Sequence, residues 1–511
     1  MAASLNRFRR SAVLAVLAAG CVAERGPLTN HMSQATTPYL ARAARQPVAW
    51  QAWGPDVFAL AARLDRPVML YIGADDCRWC AAMDNEVFGD PSVGAMIDSL
   101  FVPVRVDRDE RPDLAQRYQD ALQALAGLRG YPLTLFLTPD GSAFFGGTFF
   151  PLDDPITGRG LRQLLPEVAR SYRAERPAVL QHAALVRQMG VARTAAARGM
   201  LQLRGVRTDI AGVRQALSAA AAAPAPLAGF QPTQAVALLF AEYGRTGDTL
   251  ALVTARAALE RLSDSGLVLA PGGPSDDSPA VVRAGLLRDL SAGSALTGDA
   301  RYRDAAATLT HTLVRDFALS DPQSRFADRD AYVLGAVLDA AAAVLDTAAE
   351  RGALAQLDTL LTRVYVRGRG VRHAPRGSVH GLLQDQVQVA GAALAAYEAT
   401  GERHYLDVAR DLAAVLERDF ADPLGGYWDE AATDPAAPAL ADRTKQVLDD
   451  LLPGANAWAA RILLQLSEDT GDARYRRRAE ATLEAFAGAT HGQGARAATY
   501  LDAARGALGP R

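Results

Sequence analysis

Pro67-Val68-Met69-Leu70-Tyr71-Ile72-Gly73-Ala74-Asp75-Asp76-Cys77-Arg78-Trp79-Cys80 is the stretch on which the fold turns. Its aliphatic, β-branched first half reads as a buried strand, and from Trp79 to Phe88 the apolar spacing becomes helical. The cysteine pair therefore stands where a strand hands over to a helix. A thiol there meets unpaired backbone N–H groups and the positive end of the helix dipole, and both stabilise a thiolate. Cys-x-x-Cys also serves zinc sites, but the chain has only 3 cysteines. A four-cysteine zinc site is excluded by count, and no metal or other cofactor is expected.

Working outward, Phe101–Asp107 reads as a second strand, and a helix runs from Asp113 to about Leu125 with Pro112 just outside it. Pro132–Leu137 follows, then a turn at Thr138-Pro139-Asp140-Gly141 and a short strand at Ala143–Phe145. Strand–helix–strand, helix and a terminal hairpin is the order of a thioredoxin fold. Tyr131-Pro132 has a plain reading as strand entry and a sharper one as a cis-proline loop facing the cysteines. The sharper reading fits the order of elements. Cys77 and Cys80 are then the candidate catalytic residues, with Trp79, Tyr131 and Pro132 forming the substrate-binding surface.

The chain of 511 residues is half apolar and 22% charged, with a net charge of −3. That is a globular composition of several domains, with no basic patch to suggest nucleic acid. Residues 1–26 have a targeting pattern: Arg7, Arg9 and Arg10, an apolar run from Ala12 to Ala19, then Ala18-Ala19-Gly20-Cys21. The last four residues resemble the lipobox of bacterial lipoproteins, with Cys21 as the lipid attachment point. The run is far short of the ~20 residues that a spanning helix needs. The expected address is the cell envelope, as an extracytoplasmic lipoprotein touching the membrane only through that anchor; the alternative is cytoplasmic.

Leu161 to about Gln188 reads as a helix closing a first domain of residues 27–190. Residues 191–229 form a linker and first helical segment, broken at Ala223-Pro224-Ala225-Pro226. Residues 230–511 are helical throughout and repeat. Thr246-Gly247-Asp248, Thr297-Gly298-Asp299, Thr400-Gly401-Glu402 and Thr470-Gly471-Asp472 each lie between two helical patterns. Tyr302, Tyr405 and Tyr475 follow three of them at one offset, and Thr347-Ala348-Ala349-Glu350 falls where a degenerate member belongs. Glycine ending one helix and an acid starting the next is a C-cap followed by an N-cap. Such repeats are stacked helical hairpins, in an open solenoid or a closed ring.

Asn30-His31-Met32, Thr37-Pro38-Tyr39-Leu40, Gln46-Pro47-Val48-Ala49-Trp50, Cys77-Arg78-Trp79-Cys80, the run Val106–Asp113, Gly130-Tyr131-Pro132 and Phe144–Pro151 come in one order. In that order they resemble the spermatogenesis-associated protein 20-like thioredoxin-domain family. The resemblance implies a multidomain chain: an N-terminal α/β thioredoxin-like domain followed by an all-α (α/α) toroid of six-hairpin type. Relatives read Cys-His-Trp-Cys-His, where this chain has Arg78 and Ala81. That removes proton shuttles or ligands, while Asp75 and Asp76 oppose a Cys77 thiolate by like charge. Tyr71 stands where thioredoxins often carry a buried carboxylate. Toroids of this type often house sugar-processing sites, for which Asp385, Trp428, Asp429, Glu430, Asn456 and Trp458 are the candidates here. The relatives' His-Phe-Glu-Lys segment has no counterpart in Gly266–Leu290, which implies that sugar-enzyme catalysis is lost.

The first expectation is a dithiol–disulfide oxidoreductase acting on a protein or small thiol/disulfide, with Cys77 as the more exposed attacking thiol and Cys80 resolving. A non-catalytic scaffold and a carbohydrate-processing or carbohydrate-binding toroid with a regulatory thioredoxin domain are the alternatives.

Overall fold

The computed structural model describes residues 28–154, 156, 159–195, 198–222, 233–264, 279–319, 325–374, 379, 381–431 and 443–509. Cys21, the Ala-Pro linker and most of the glycine-rich segment after Gly266 lie outside the described residues.

The N-terminal unit is built on four strands, β1 (Val68–Gly73), β2 (Val102–Asp107), β3 (Leu133–Leu137) and β4 (Ala143–Gly147), in the order β2-β1-β3-β4. β2 runs parallel to β1, with Gly73 opposite Asp107, while β3 and β4 are antiparallel. Alternation along β1 serves two cores. Met69 and Tyr71 pack with Trp50, Phe88, Phe101 and Tyr172 on one face. Leu70 and Ile72 pack with Phe58, Leu114 and Tyr118 on the other. The first face is covered by α1 (Pro38–Arg42), α3 (Arg78–Glu86), α4 (Pro91–Leu100), α6 (Leu161–Ala174) and α7 (Arg176–Ala195). The second is covered by α2 (Pro55–Leu64) and α5 (Pro112–Ala126).

Three local expectations need correction. The helix α4 was not anticipated, although Asp90 caps it by accepting from Ser92 N at 2.7 Å and Pro91 occupies its first turn. Pro112 lies inside α5, at a position where its missing N–H costs nothing. The single helix expected from Leu161 is two, interrupted at Glu175.

The remaining helices are α8 (Leu203–Ala222), α9 (Thr233–Thr246), α10 (Thr249–Asp264), α11 (Pro279–Thr297), α12 (Ala300–Leu319), α13 (Ala327–Val344) and α14 (Thr347–Val364). A two-residue-per-strand hairpin follows, β5 (Tyr365–Val366) with β6 (Gly370–Val371), where no strand was expected. Then come α15 (Leu383–Thr400), α16 (Arg403–Val415), α17 (Ala455–Thr470), α18 (Ala473–Glu484), α19 (Ala487–Thr490) and α20 (Ala498–Ala507). α9, α11, α13, α15, α17 and α20 each pack on the next, and α20 returns to α9. That closure makes an (α/α) toroid, with α10, α12, α14, α16 and α18 outside and α8 completing the outer layer against α20 and α10. α13 and α15 are alanine-rich and mostly buried, as inner helices must be.

The repeats are the turns between inner and outer helices. Gly298 (φ 70°) ends α11, and Asp299 caps α12 by accepting from Arg301 N at 2.9 Å. Tyr302 and Tyr405 each reach back one hairpin, donating to Glu260 and Asp358. The degenerate member sits three residues before its expected place. Leu345 takes the left-handed conformation (φ 58°) and Asp346 caps α14, accepting from Ala348 and Ala349 N.

Candidate active site

Cys77 and Cys80 are joined by a disulfide at the start of α3. Cys77 is the N-cap residue, and its Sγ accepts from Cys80 N at 3.1 Å. The Tyr131-Pro132 bond is cis, and Tyr131 packs against Cys77, Cys80 and Ala74. Cys77 is 1% exposed and Cys80 0%. Cys77 is thus hardly more exposed than Cys80, and Tyr131 packs against the pair. Trp79, 50% exposed, packs at a tilt against Phe149 with ring centroids 5.0 Å apart, leaving an aromatic surface next to the disulfide.

The two aspartates before Cys77 do not stand as bare negative charges. Asp75 pairs with Arg42, and Asp76 accepts from Arg108 Nη2 at 2.6 Å. The Arg108 guanidinium also lies 5.1 Å from the Tyr131 ring and donates to Asp109 at 2.7 Å. The like-charge repulsion expected of the sequence is thus largely offset. Burial pushes the Asp76 carboxyl up, with Arg108 opposing.

Behind the disulfide lies a buried cation. Arg105, on β2 and 1% exposed, makes a bidentate pair with Asp84 at 2.6 and 2.7 Å. Its guanidinium lies 4.4 Å from the Tyr39 ring and 5.1 Å from the Tyr71 ring. Tyr71 hydroxyl donates to the Cys80 carbonyl at 3.5 Å, and burial holds that phenol well above its ordinary range. Asp107, at the end of β2, is pushed up to about 7, by burial first and then by Asp109.

The β2–α5 loop, Asp107 to Asp113, enters the mouth of the toroid at the N-terminal ends of its inner helices. Asp109 pairs there with Arg329 of α13 as well as with Arg108. Its carbonyl accepts from His373 Nε2 at 2.7 Å. His373, 0% exposed, meets Asp385 through Nδ1 at 2.8 Å and stacks on Phe326. Both ring nitrogens face acceptors, so the imidazolium is favoured; despite burial, Asp385 and Asp328 push it up to about 10. Further along the loop, Asp113 faces Glu430, whose carboxyl is raised to about 8 by burial first and then by Asp113. Arg111 stabilises the Asp113 carboxylate at 2.9 Å.

The toroid candidates are mostly fastened within this frame. Asn456 accepts from Tyr427 N and donates to Tyr427 and Gln446 carbonyls, all within 2.9 Å. Asp429 accepts from Gln446 N at 2.6 Å. Trp428 carries the cations of Arg443 and Lys445 at 5.0 and 4.5 Å from its ring. Trp458, 9% exposed, forms an edge contact with Tyr332. His373 was not anticipated; it sits in an irregular segment, and nothing in its sequence neighbourhood points to Asp385 twelve residues on. Asp328, His373 and Asp385 are the one group of acid and histidine side chains among the described residues close enough to surround a metal ion. Nδ1 and Nε2 of that histidine already have protein partners.

Together, a thioredoxin unit and a closed helical toroid define the architecture. Residues 29–189 match the thioredoxin-domain family described as "Protein of unknown function, DUF255". Human spermatogenesis-associated protein 20 is 33% identical over 174 residues, which is 34% of this chain and 22% of that protein. The mouse protein is 32% identical over the same length. The N-terminal unit carries the spermatogenesis-associated protein 20-like thioredoxin domain, and the match covers less than a quarter of those relatives' length. An unsaturated glucuronyl hydrolase specific for heparin is similar over 60% of this chain and 96% of its own, at 14% identity and TM-score 0.46. The cellobiose 2-epimerase from Bacillus thermoamylovorans is similar over 49% and 74%, at 14% identity and TM-score 0.40.

Proposed function

We propose that the N-terminal unit is a dithiol–disulfide exchange catalyst and that the toroid serves it as a cover and docking body rather than as a sugar enzyme. The observation that carries this reading is Cys77 at the N-cap of α3, paired with Cys80 and packed against Tyr131. In the reduced form, Cys77 thiolate attacks one sulfur of a substrate disulfide; a mixed disulfide forms and the other substrate sulfur leaves as thiolate. Cys80 thiolate then attacks Cys77 Sγ, closing the intramolecular disulfide and releasing the second substrate thiolate. Two electrons pass from the pair to the substrate, and the reverse sequence oxidises a dithiol. Trp79 and Tyr131 supply apolar contact, and the strand edge at Pro132 supplies backbone groups for an extended segment. A loss of sugar chemistry is supported by the Asp109 loop lying on His373 and Arg329 at the mouth.

No helix among the described residues is long and apolar enough to cross a membrane. The proposed address remains the extracytoplasmic face, through a lipid on Cys21, with a protein or small thiol/disulfide as partner. The test is Cys80→Ser, which is expected to accumulate mixed disulfides that Cys77→Ser abolishes. Equal recovery from both variants would refute the exchange reading. The burial of Cys77 favours one second reading, a non-catalytic scaffold whose disulfide only fastens a turn; a pair that never exchanges with glutathione would support it.

A further inference from the structure

We propose that Tyr39 is a positioning residue for the resolving sulfur: its hydroxyl is the hydrogen-bond donor that receives Cys80 when the disulfide opens. This rests on the dithiol reading above and names a device within that site.

Gly73 is the last residue of β1. A Cβ built there would lie 2.2 Å from Tyr39 Oη and 3.0 Å from Cys80 Sγ. The phenol oxygen and the sulfur therefore border the same space, which exists only because residue 73 has no side chain. Tyr39 is 2% exposed, and its hydroxyl, although it faces that of Tyr71, has no partner in hydrogen-bonding geometry. A buried donor without an acceptor is rare in native structures and calls for an explanation. A disulfide sulfur is a poor acceptor, whereas a thiolate is a charged one and bonds a hydroxyl strongly. The unmet donor thus belongs to the oxidised state, and reduction supplies its acceptor.

The surroundings hold the phenol in place. Thr37 caps α1, accepting from Leu40 N at 3.3 Å, and Arg105 lies 4.4 Å from the Tyr39 ring centre. The groups facing this corner are Tyr39 from α1, Tyr71 from β1, Arg105 and Asp107 from β2, and Asp84 and Cys77 from α3. Arg105 is held by its bidentate pair with Asp84, and the Tyr39 hydroxyl borders the same space as the Cys80 sulfur. Tyr71 spends its own on the Cys80 carbonyl. Tyr71 stands at thioredoxin's carboxylate position, but the geometry assigns the task at the sulfur to Tyr39.

Two consequences are measurable. The Tyr39 hydroxyl lowers the Cys80 thiol pKa, and it stabilises the reduced pair relative to the disulfide. Tyr39→Phe keeps the ring and removes only the donor. In the full chain with Cys21→Ser and Cys77→Ser, ultraviolet thiolate absorbance against pH reads Cys80 alone, and Tyr39→Phe is expected to raise its pKa by about one unit. In the chain with both site cysteines, the same substitution is expected to shift the equilibrium with glutathione about tenfold toward the disulfide, or about 30 mV more reducing. Gly73→Ala, which places a methyl where the hydroxyl sits, is expected to move both readouts the same way. An exchanging wild type in which Tyr39→Phe changes neither the Cys80 pKa nor the glutathione equilibrium overturns the role of Tyr39 alone. A wild-type pair that glutathione cannot reduce overturns the dithiol reading and this inference with it.

Discussion

His373 Nε2 of the toroid donates to the main-chain carbonyl of Asp109 in the thioredoxin unit at 2.7 Å, while the Asp109 carboxylate bridges Arg108 and Arg329. The residue thus joins both bodies. Through Arg108 it is also one ion pair away from Asp76, the neighbour of Cys77. The mouth of the toroid and the face of the disulfide are tied through the same few side chains.

Arg329→Ala tests that tie. Asp109 would keep Arg108 but lose its partner across the interface, where both side chains are largely buried. The expected cost to domain closure is on the order of 2 kcal/mol, about thirtyfold in the separated population. It should appear as faster hydrogen exchange in the Asp107–Asp113 loop and faster alkylation of reduced Cys77. Unchanged rates at both would show that the ion pair does not hold the units together.

The interface should weaken in alkali, in two stages. Glu430 is raised from 4.5 to about 8, so the stability linked to its proton is complete below 4.5 and is lost as pH rises through about 8. His373 is raised from 6.5 to about 10, so its contribution is complete below 6.5 and is lost through about 10. Glu430→Gln should shrink the first fall in melting temperature, leaving the part due to Asp107, and keep the second; His373→Gln should remove the second.

Leu345 offers a stabilising change. It holds a left-handed conformation at φ 58°, where the equivalent repeats carry glycine, and is 86% exposed. Removing the Cβ strain recovers roughly 1 kcal/mol, partly offset by the greater freedom of glycine in the unfolded chain. Leu345→Gly should therefore raise the melting temperature modestly; a fall would mean that the side chain contributes packing its exposure does not suggest.

The thioredoxin unit was legible because its signals are local. A β-branched run before Cys77, Tyr131-Pro132 before β3 and the turn at Asp140-Gly141 each constrain the backbone within a few residues. The same kind of signal was present but unread at Asp90-Pro91, which opens α4, and at Arg176-Pro177, where proline disfavours helix at the preceding residues. The toroid was legible as a repeat because each turn needs a residue tolerating positive φ followed by a cap. Leu345 escaped because only its backbone, and not its side-chain type, follows that rule. His373, Arg329 and the covering of Cys77 were beyond reach for a different reason. The first two arise where segments more than 200 residues apart meet, the third where the loop before β3 packs on the start of α3, and no periodicity encodes such meetings. Tyr39 was quoted only as part of a motif; its place beside Cys80 depends on the empty side of Gly73.

The central claim, that Cys77 and Cys80 form an exchanging pair, is tested most directly by equilibrating the full chain with Cys21→Ser across glutathione redox buffers. The two cysteines are then quantified by differential alkylation and mass spectrometry. The account predicts one two-electron transition in which both cysteines become alkylatable together. A pair that stays closed throughout, or two thiols that respond independently, would contradict it.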